Sequence, residues 1–331
     1  LKIQTFLGGI TLWGLSGGSV WVIGIVPQLN FSIDRFMLPF MLGASLLLAS
    51  LIALIKNQRA QMILVALLVG FAVSRHFRLE DIFRRDWATQ QNLFWQMTWR
   101  IPALEKGTIL LSNDLPVTYY SDNSLTGPLN WIYSPPGEMN LILYFASIRV
   151  GKTLPGVEPG QPHQLYYIGP TFYGNTSNIL VFDYDPPGCF RVVDPEVEAT
   201  NRLLPPALRD VARYSNQRVI LFDRKAQLPG QFYGSEPPHD WCYYFGQAEL
   251  ARQKGDWEQV VAFGETAFAL DDHPNDPIER FVFIEGYAHV GDWEKAVELS
   301  TTSYRISKNY VGPLLCKLWH SIERQTQSTP E

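Results

Sequence analysis

From Phe36 to Ile55 the chain reads FMLPFMLGASLLLASLIALI, and no charge falls between Arg35 and Lys56. Wound as a helix at about 1.5 Å per residue, the run covers ~30 Å, the thickness of a bilayer's hydrocarbon core. A helix buried in a soluble domain keeps some polar face over such a length, so the run predicts a membrane-spanning helix. The rest of the chain is ordered around it, with apolar sequence before, a shorter apolar run after, and sequence of ordinary polarity to the end.

Upstream, no charged residue lies between Lys2 and Asp34, and residues 6–26 read as a further span rich in glycine (Gly8, Gly9, Gly14, Gly17, Gly18 and Gly24). Small residues let helices approach closely in lipid, so this span is expected to pack against a neighbour. Residues 60–76 form a third apolar run, short for a span. It reaches across if Arg59 and Arg75 turn their charged ends to the surfaces; the alternative is a re-entrant or interfacial segment. Residues 1–77 are therefore expected to be a membrane segment of three α-helical spans. The chain opens on Leu1 without the ordered signals of a secretory leader, and it is expected to be the C-terminal piece of a longer protein.

A small mixed α/β domain is expected over residues 78–234. Trp87, Phe94 and Trp95 recur at helical spacing and predict an amphipathic helix over 86–100 that stops before Pro102. Short β-branched or aromatic runs bounded by turn residues predict strands at 108–111, 164–168, 178–184, 189–193 and 218–222, with DPPG as a hairpin turn. Residues 139–150 and 203–214 read as helices, and 112–138 as a loop of unusual length. A formal charge of −5 with no sustained basic run argues against nucleic acid as a partner. Cys189, Cys242 and Cys316 form no CxxC pair and are expected as buried thiols. The six histidines are scattered singly, and no phosphate-binding, hydrolase or zinc motif occurs. No cofactor, metal site or catalytic residue is therefore placed on this chain.

Over residues 235–331 the pattern turns helical. GDWEQVV at Gly255 returns as GDWEKAV at Gly291, and a period in the mid-thirties with this motif between two amphipathic helices resembles tetratricopeptide repeats. Glycine permits the tight turn, and Asp256 and Asp292 sit where a helix cap is wanted. Trp257 and Trp293 are expected to pack back onto the first helix of each pair. Tyr244, Ala248, Phe283 and Tyr287 fall at interior positions, and Tyr310 to Ile322 predicts a closing helix. The resemblance implies a surface for a protein partner.

The second span with its approach, IDRFMLPFMLGASLLLASLIALI, resembles the late transmembrane segment of membrane glycosyltransferases that use polyprenyl-phosphate-linked sugars. Arg35, Phe36, Leu38 and Pro39 carry the match, with Phe36 where a tyrosine is usual. The resemblance covers the membrane segment. It implies a many-span enzyme working outside the cytoplasm, with its catalytic carboxylates upstream of Leu1. Arg35 would then hold a lipid phosphate, although an arginine at a membrane boundary also serves as a plain anchor. Basic residues near the spans favour a cytoplasmic C-terminus, whereas the resemblance favours an extracytoplasmic one. The second is adopted, because helices upstream would dominate the charge rule.

The stretch DLPVTYYSDNSLTGPLNWIYSPPGE, from Asp114 onward, mixes carboxylates, amides and aromatic faces. That mixture suits a sugar, whose hydroxyls hydrogen-bond and whose C–H faces stack on rings. Asp122 and Asn130 are the candidate hydrogen-bonding contacts and Trp131 the stacking one; the same side chains could instead hold the loop to its domain. The leading expectation is a bilayer-embedded glycosyltransferase-like protein acting on a polyprenyl-phosphate-linked sugar. The competing one is a membrane-anchored repeat protein that binds a protein partner and catalyses nothing.

Overall fold

The computed structural model describes residues 2–22, 24, 26, 34–112, 115–138, 141–147, 158–167 and 169–327. It is mostly helical with a few small sheets, and it divides into two compact units, Leu1–Arg85 and Asp86–Glu331. The boundary expected after residue 77 thus falls after Arg85, and everything from Asp86 onward forms one unit.

The first unit is helical. α1 spans Lys2–Val22, α2 spans Leu38–Ile52 after a 3-10 turn at Asp34–Met37, and α3 begins at Gln58. Glycine lets α1 and α2 lie side by side, as a glycine-rich span predicts. A Cβ on Gly43 of α2 would sit 2.5 Å from the Trp13 backbone nitrogen, and one on Gly9 of α1 would sit 3.0 Å from Leu47. Trp13 meets Phe40 edge-on at 6.0 Å beside this seam. Elsewhere the unit exposes apolar side chains, among them Leu42, Leu48, Ile63, Leu67 and Phe71. Among the described residues two helices, not the expected three, are long and apolar enough to cross a membrane: Asp34–Ile52 and part of Gln58–Arg100. α1 has the length, but its glycines, serines and threonines dilute its apolarity. The end of the expected 6–26 span, at Ile23 and Ile25, lies outside the described residues.

α3 spans Gln58–Arg100, 43 residues in one helix. The apolar run at 60–76 and the amphipathic stretch at 86–100, expected as separate elements, are continuous because neither Gly nor Pro interrupts Phe71 to Arg100. Asn57 caps its start, with Oδ1 accepting from the Arg59 amide at 2.9 Å. The helix stops before Pro102, as the sequence predicts.

In the second unit the order is β1 (Ala103–Leu104), β2 (Ile109–Leu111), α4 (Asp122–Tyr133), β3 (Phe145–Ser147), β4 (Pro162–Tyr166) and β5 (Thr171–Asn175). There follow β6 (Ile179–Asp183), β7 (Arg191–Val192), α5 (Pro206–Ala212), β8 (Ile220–Leu221) and the short α6 (Gly230–Tyr233). The main sheet has the order β3-β2-β6-β7, with β2 parallel to both β3 and β6 and with β7 antiparallel to β6. Ile109, Leu110 and Leu111 are all buried because the sheet is covered on both faces. Leu110 and Leu180 face a core with Phe94 of α3 and Leu125 and Leu129 of α4. Their neighbours Ile109, Leu111 and Val181 point the other way, toward Phe172 of β5 and Leu208 of α5. β1 pairs with β8 and β4 with β5 in two small sheets.

The expected strands are present, most of them shorter than predicted, and DPPG joins β6 to β7; Ile168, the end of one expected strand, lies outside the described residues. β1, β3 and β5 are additional. Two expectations fail. The stretch 112–138 is not one loop, since α4 occupies its middle. The stretch 139–150 is not a helix, since it contains β3; Met139, Asn140 and residues 148–150 lie outside the described residues.

The rest of the unit is helical: α7 (Trp241–Lys254), α8 (Trp257–Phe268), α9 (Phe281–His289) after a 3-10 turn at Pro277–Arg280, α10 (Trp293–Ile306) and α11 (Lys308–Gln327). Gly255 and Gly291 take φ of 73° and 85°, a region costly for any residue with a Cβ, and so turn the chain between helices. Asp256 and Asp292 cap the helices that follow, accepting from the Gln259 and Lys295 amides at 3.2 and 3.0 Å. Of the expected interior positions Ala248, Phe283 and Tyr287 are buried and Tyr244 is partly buried, whereas the two motif tryptophans are not buried. Trp257 is partly buried, stacked on His289 at 3.8 Å, and Trp293 remains 50% exposed.

The cysteine expectation also fails. Cys189, just after the DPPG turn, is bridged to Cys242 of α7 with a Cα separation of 5.2 Å, and Cys316 alone is free and exposed. The fold brings the hairpin turn against the start of α7 through one carboxylate. Glu279, fully buried, accepts from the Cys189 amide at 2.9 Å and from Trp241 Nε1 at 2.8 Å.

Candidate functional site

α4 starts at a reciprocal cap. Ser121 Oγ accepts from the Ser124 amide, and Ser124 Oγ accepts from the Ser121 amide at 3.1 Å. From there Leu125, Leu129, Ile132 and Tyr133 form the apolar stripe that seats the helix on the sheet. Asn130 lies on this inner side, 3% exposed. Its amide nitrogen donates to the Thr126 and Tyr144 carbonyls at 2.7 and 2.8 Å. Its oxygen accepts from the Leu143 and Tyr144 amides at 2.7 and 3.1 Å. A carboxamide has two donors and two acceptor positions, so Asn130 is fully engaged within the fold and has none left for a ligand. Its expected role as a ligand contact gives way to a structural one.

Trp131, the next residue, points outward and is 48% exposed. Its ring stacks on that of Phe232, 5.4 Å away at 24°, which is equally exposed. Trp131 borders a cleft of about 580 Å³ whose walls include Tyr133, Ser134, Arg224, Lys225 and Pro229. Burial pushes the Tyr144 hydroxyl up, and Arg224 beside it pulls the other way. Ser134 Oγ is enclosed without a hydrogen-bond partner among the described residues. Two cations and no carboxylate line the cleft among those residues. The sequence marks Trp131 but not Phe232, Arg224 or Lys225, which stand a hundred residues further on in DRKAQLPGQF and match no motif.

Of the other predicted contacts, Asp122 stands apart from the cleft. Asp122 is the first residue of α4, nine residues from Trp131, and is therefore ~13 Å away along the helix. Arg35 lies in the first unit, in the 3-10 turn before α2, with its guanidinium over the Phe36 ring at 5.2 Å. Asp114 lies outside the described residues.

Two further cavities are lined by charged side chains, many of them paired with one another. An internal one of about 50 Å³ is flanked by Arg100, Asp194, Arg252 and Glu285. Arg252 pairs with Asp194 at 3.2 Å and Glu249 at 3.0 Å. Arg100, 1% exposed, donates to Gln253 at 3.0 Å, and burial brings its pKa down to about 10. A cleft of about 390 Å³ holds Asp183, Asp185, Asp276 and Glu279, but Arg191 pairs with Asp183 at 2.8 Å and Tyr310 donates to Asp276 at 3.1 Å. Among the described residues no group of three or more His, Cys, Asp or Glu side chains is placed to hold a metal ion. No family model, curated protein or solved structure matches this chain.

Proposed function

We propose that this chain belongs to a glycosyltransferase-like membrane protein that uses a lipid-phosphate-linked sugar. Its second unit stands outside the cytoplasm and serves substrate binding. The observation that carries the reading is the Cys189–Cys242 bridge. Disulfides persist in oxidising compartments and are rare in the cytosol, and transfer from polyprenyl-phosphate sugars in the family that the second span resembles takes place on that side. The two membrane-length apolar helices and the exposed Arg35 at the start of one of them support it. Arg35 would bind a lipid phosphate as a charge-assisted donor.

The test is a thiol count on the full chain in native membranes. Without reductant only Cys316 should alkylate, and in intact cells a membrane-impermeant maleimide should reach it. Three reactive thiols before reduction, or labelling of Cys316 only after lysis, would place the unit in the cytosol and reject the proposal.

A second reading is favoured by α7 to α10. Their glycine turns and capping aspartates resemble tetratricopeptide hairpins, and Trp293, Val297 and Tyr304 form an exposed apolar stripe along α10. On that reading the chain is a membrane-anchored protein that binds a protein partner through its helices.

A further inference from the structure

Two large aromatic rings stacked on each other at the surface, both nearly half exposed, cost hydration that a purely structural pair would avoid by burial. Trp131 and Phe232 present such a platform beside the 580 Å³ cleft, a volume in the range of small-molecule sites. A ligand that fits must offer a flat apolar face to the rings. It must also carry negative charge for Arg224 and Lys225, since among the described residues no carboxylate lines the cleft wall. Asp223 stands 3.7 Å from Arg224 Nε and the Tyr144 hydroxyl also meets that guanidinium, so Arg224 offers an anion part of its charge and the exposed Lys225 offers its own. The last carbonyls at the C-terminal end of α4 add acceptors, which call for hydroxyl donors on the same ligand.

We infer that this cleft binds a phosphorylated hexose, with the sugar's C–H face on Trp131, whose ring Phe232 backs from the other side, and the phosphate on Arg224 and Lys225. The inference rests on the proposed function for the source of the sugar, a lipid-linked phosphate, and adds the site and its residues. A hexose alone would lack the charge, and inorganic phosphate would lack the stacking face. The binding advantage therefore belongs to the two groups joined in one molecule.

The experiment is calorimetric titration of the full chain in detergent micelles with glucose 1-phosphate, glucose and inorganic phosphate. Glucose 1-phosphate should bind at least about tenfold more tightly than either fragment. Trp131→Ala should abolish that advantage while phosphate binding persists. Arg224→Gln or Lys225→Gln should weaken the sugar phosphate about tenfold and leave glucose unchanged. Lys225 is exposed, so its variant keeps the test open if Arg224→Gln fails to fold; melting curves report on folding in each case. Trp293→Ala, on α10, should bind as the parent chain does. No saturation below about 10 mM, equal affinity for all three compounds, or wild-type binding by the Trp131 and Lys225 variants would overturn the site.

A polyprenyl-phosphate hexose in nanodiscs that competes with glucose 1-phosphate identifies the lipid source. If only the soluble sugar phosphate binds, the cleft stands and the lipid-linked reading falls. If no sugar phosphate binds while Cys316 alone alkylates, the cleft falls and the extracytoplasmic reading stands.

Discussion

At Asn130 one carboxamide serves four backbone groups, and removing it orphans the Leu143 and Tyr144 amides and the Tyr144 carbonyl beneath α4. Each buried group left unpaired costs about 1–3 kcal/mol, so Asn130→Ala should lower stability by about 3 kcal/mol or more in chemical unfolding of the full chain. A loss below about 1 kcal/mol would show that water reaches these groups. Asp194 supports a pH argument. Burial works against its charge, but Arg252 at 3.2 Å and the Glu196 and Val197 amides outweigh it, and the carboxyl is held below its ordinary 3.8. A depressed carboxyl contributes stability that is present above its unfolded pKa and lost as pH falls through the lower folded value. The stability gap between the parent chain and Asp194→Asn should therefore be full near neutrality and narrow below pH 3.8. A gap that stays constant across urea titrations in that range would assign the loss to packing instead.

Among elements, α8 and α9 touch so closely that a Cβ on Gly286 would sit 2.5 Å from a Val260 methyl, and Trp241 is sealed at the start of α7 among Phe268 and Phe283. Trp241→Ala should cost ~3–5 kcal/mol, since it opens a cavity and strips the Glu279 carboxylate of a donor. Trp293→Ala, on a half-exposed ring, should cost less than about 1 kcal/mol by the same melting measurement. The reverse ranking would mean that the GDW turn, rather than the helix start before it, holds the hairpins together. That difference also marks what was legible in the sequence. The repeated motif located the turns and their caps, but the sites of heaviest burial depend on contacts between elements. α4 was legible in principle, through Ser121 three residues ahead of Ser124 and apolar residues at helical spacing. Gly127 and Pro128 inside it read instead as breakers. The run LILYFAS could be helix or strand by its apolarity, and its place beside β2 decides for strand.

For the whole molecule, the apolar first unit was plain from composition, and the mixed character of the second was plain from its short runs between turn residues. The cysteine bridge was not, because a separation of 53 residues has no spacing signature and is set by how the hairpin turn meets α7. The cleft was half legible, since its aromatic ring lies in the polar-aromatic stretch and its cations come from a distant connection. A last consequence follows from the way α4 covers β3. β3 is the outermost strand of the main sheet, and its outward amides would ordinarily await another strand. Asn130 gives Tyr144 the paired bonds that a neighbouring strand would give, and Thr126 Oγ1 accepts from the Ala146 amide at 3.1 Å. Side chains from a helix thus imitate the missing strand, and the sheet cannot grow by recruiting a segment of another chain on that border. That closure guards against self-templated aggregation.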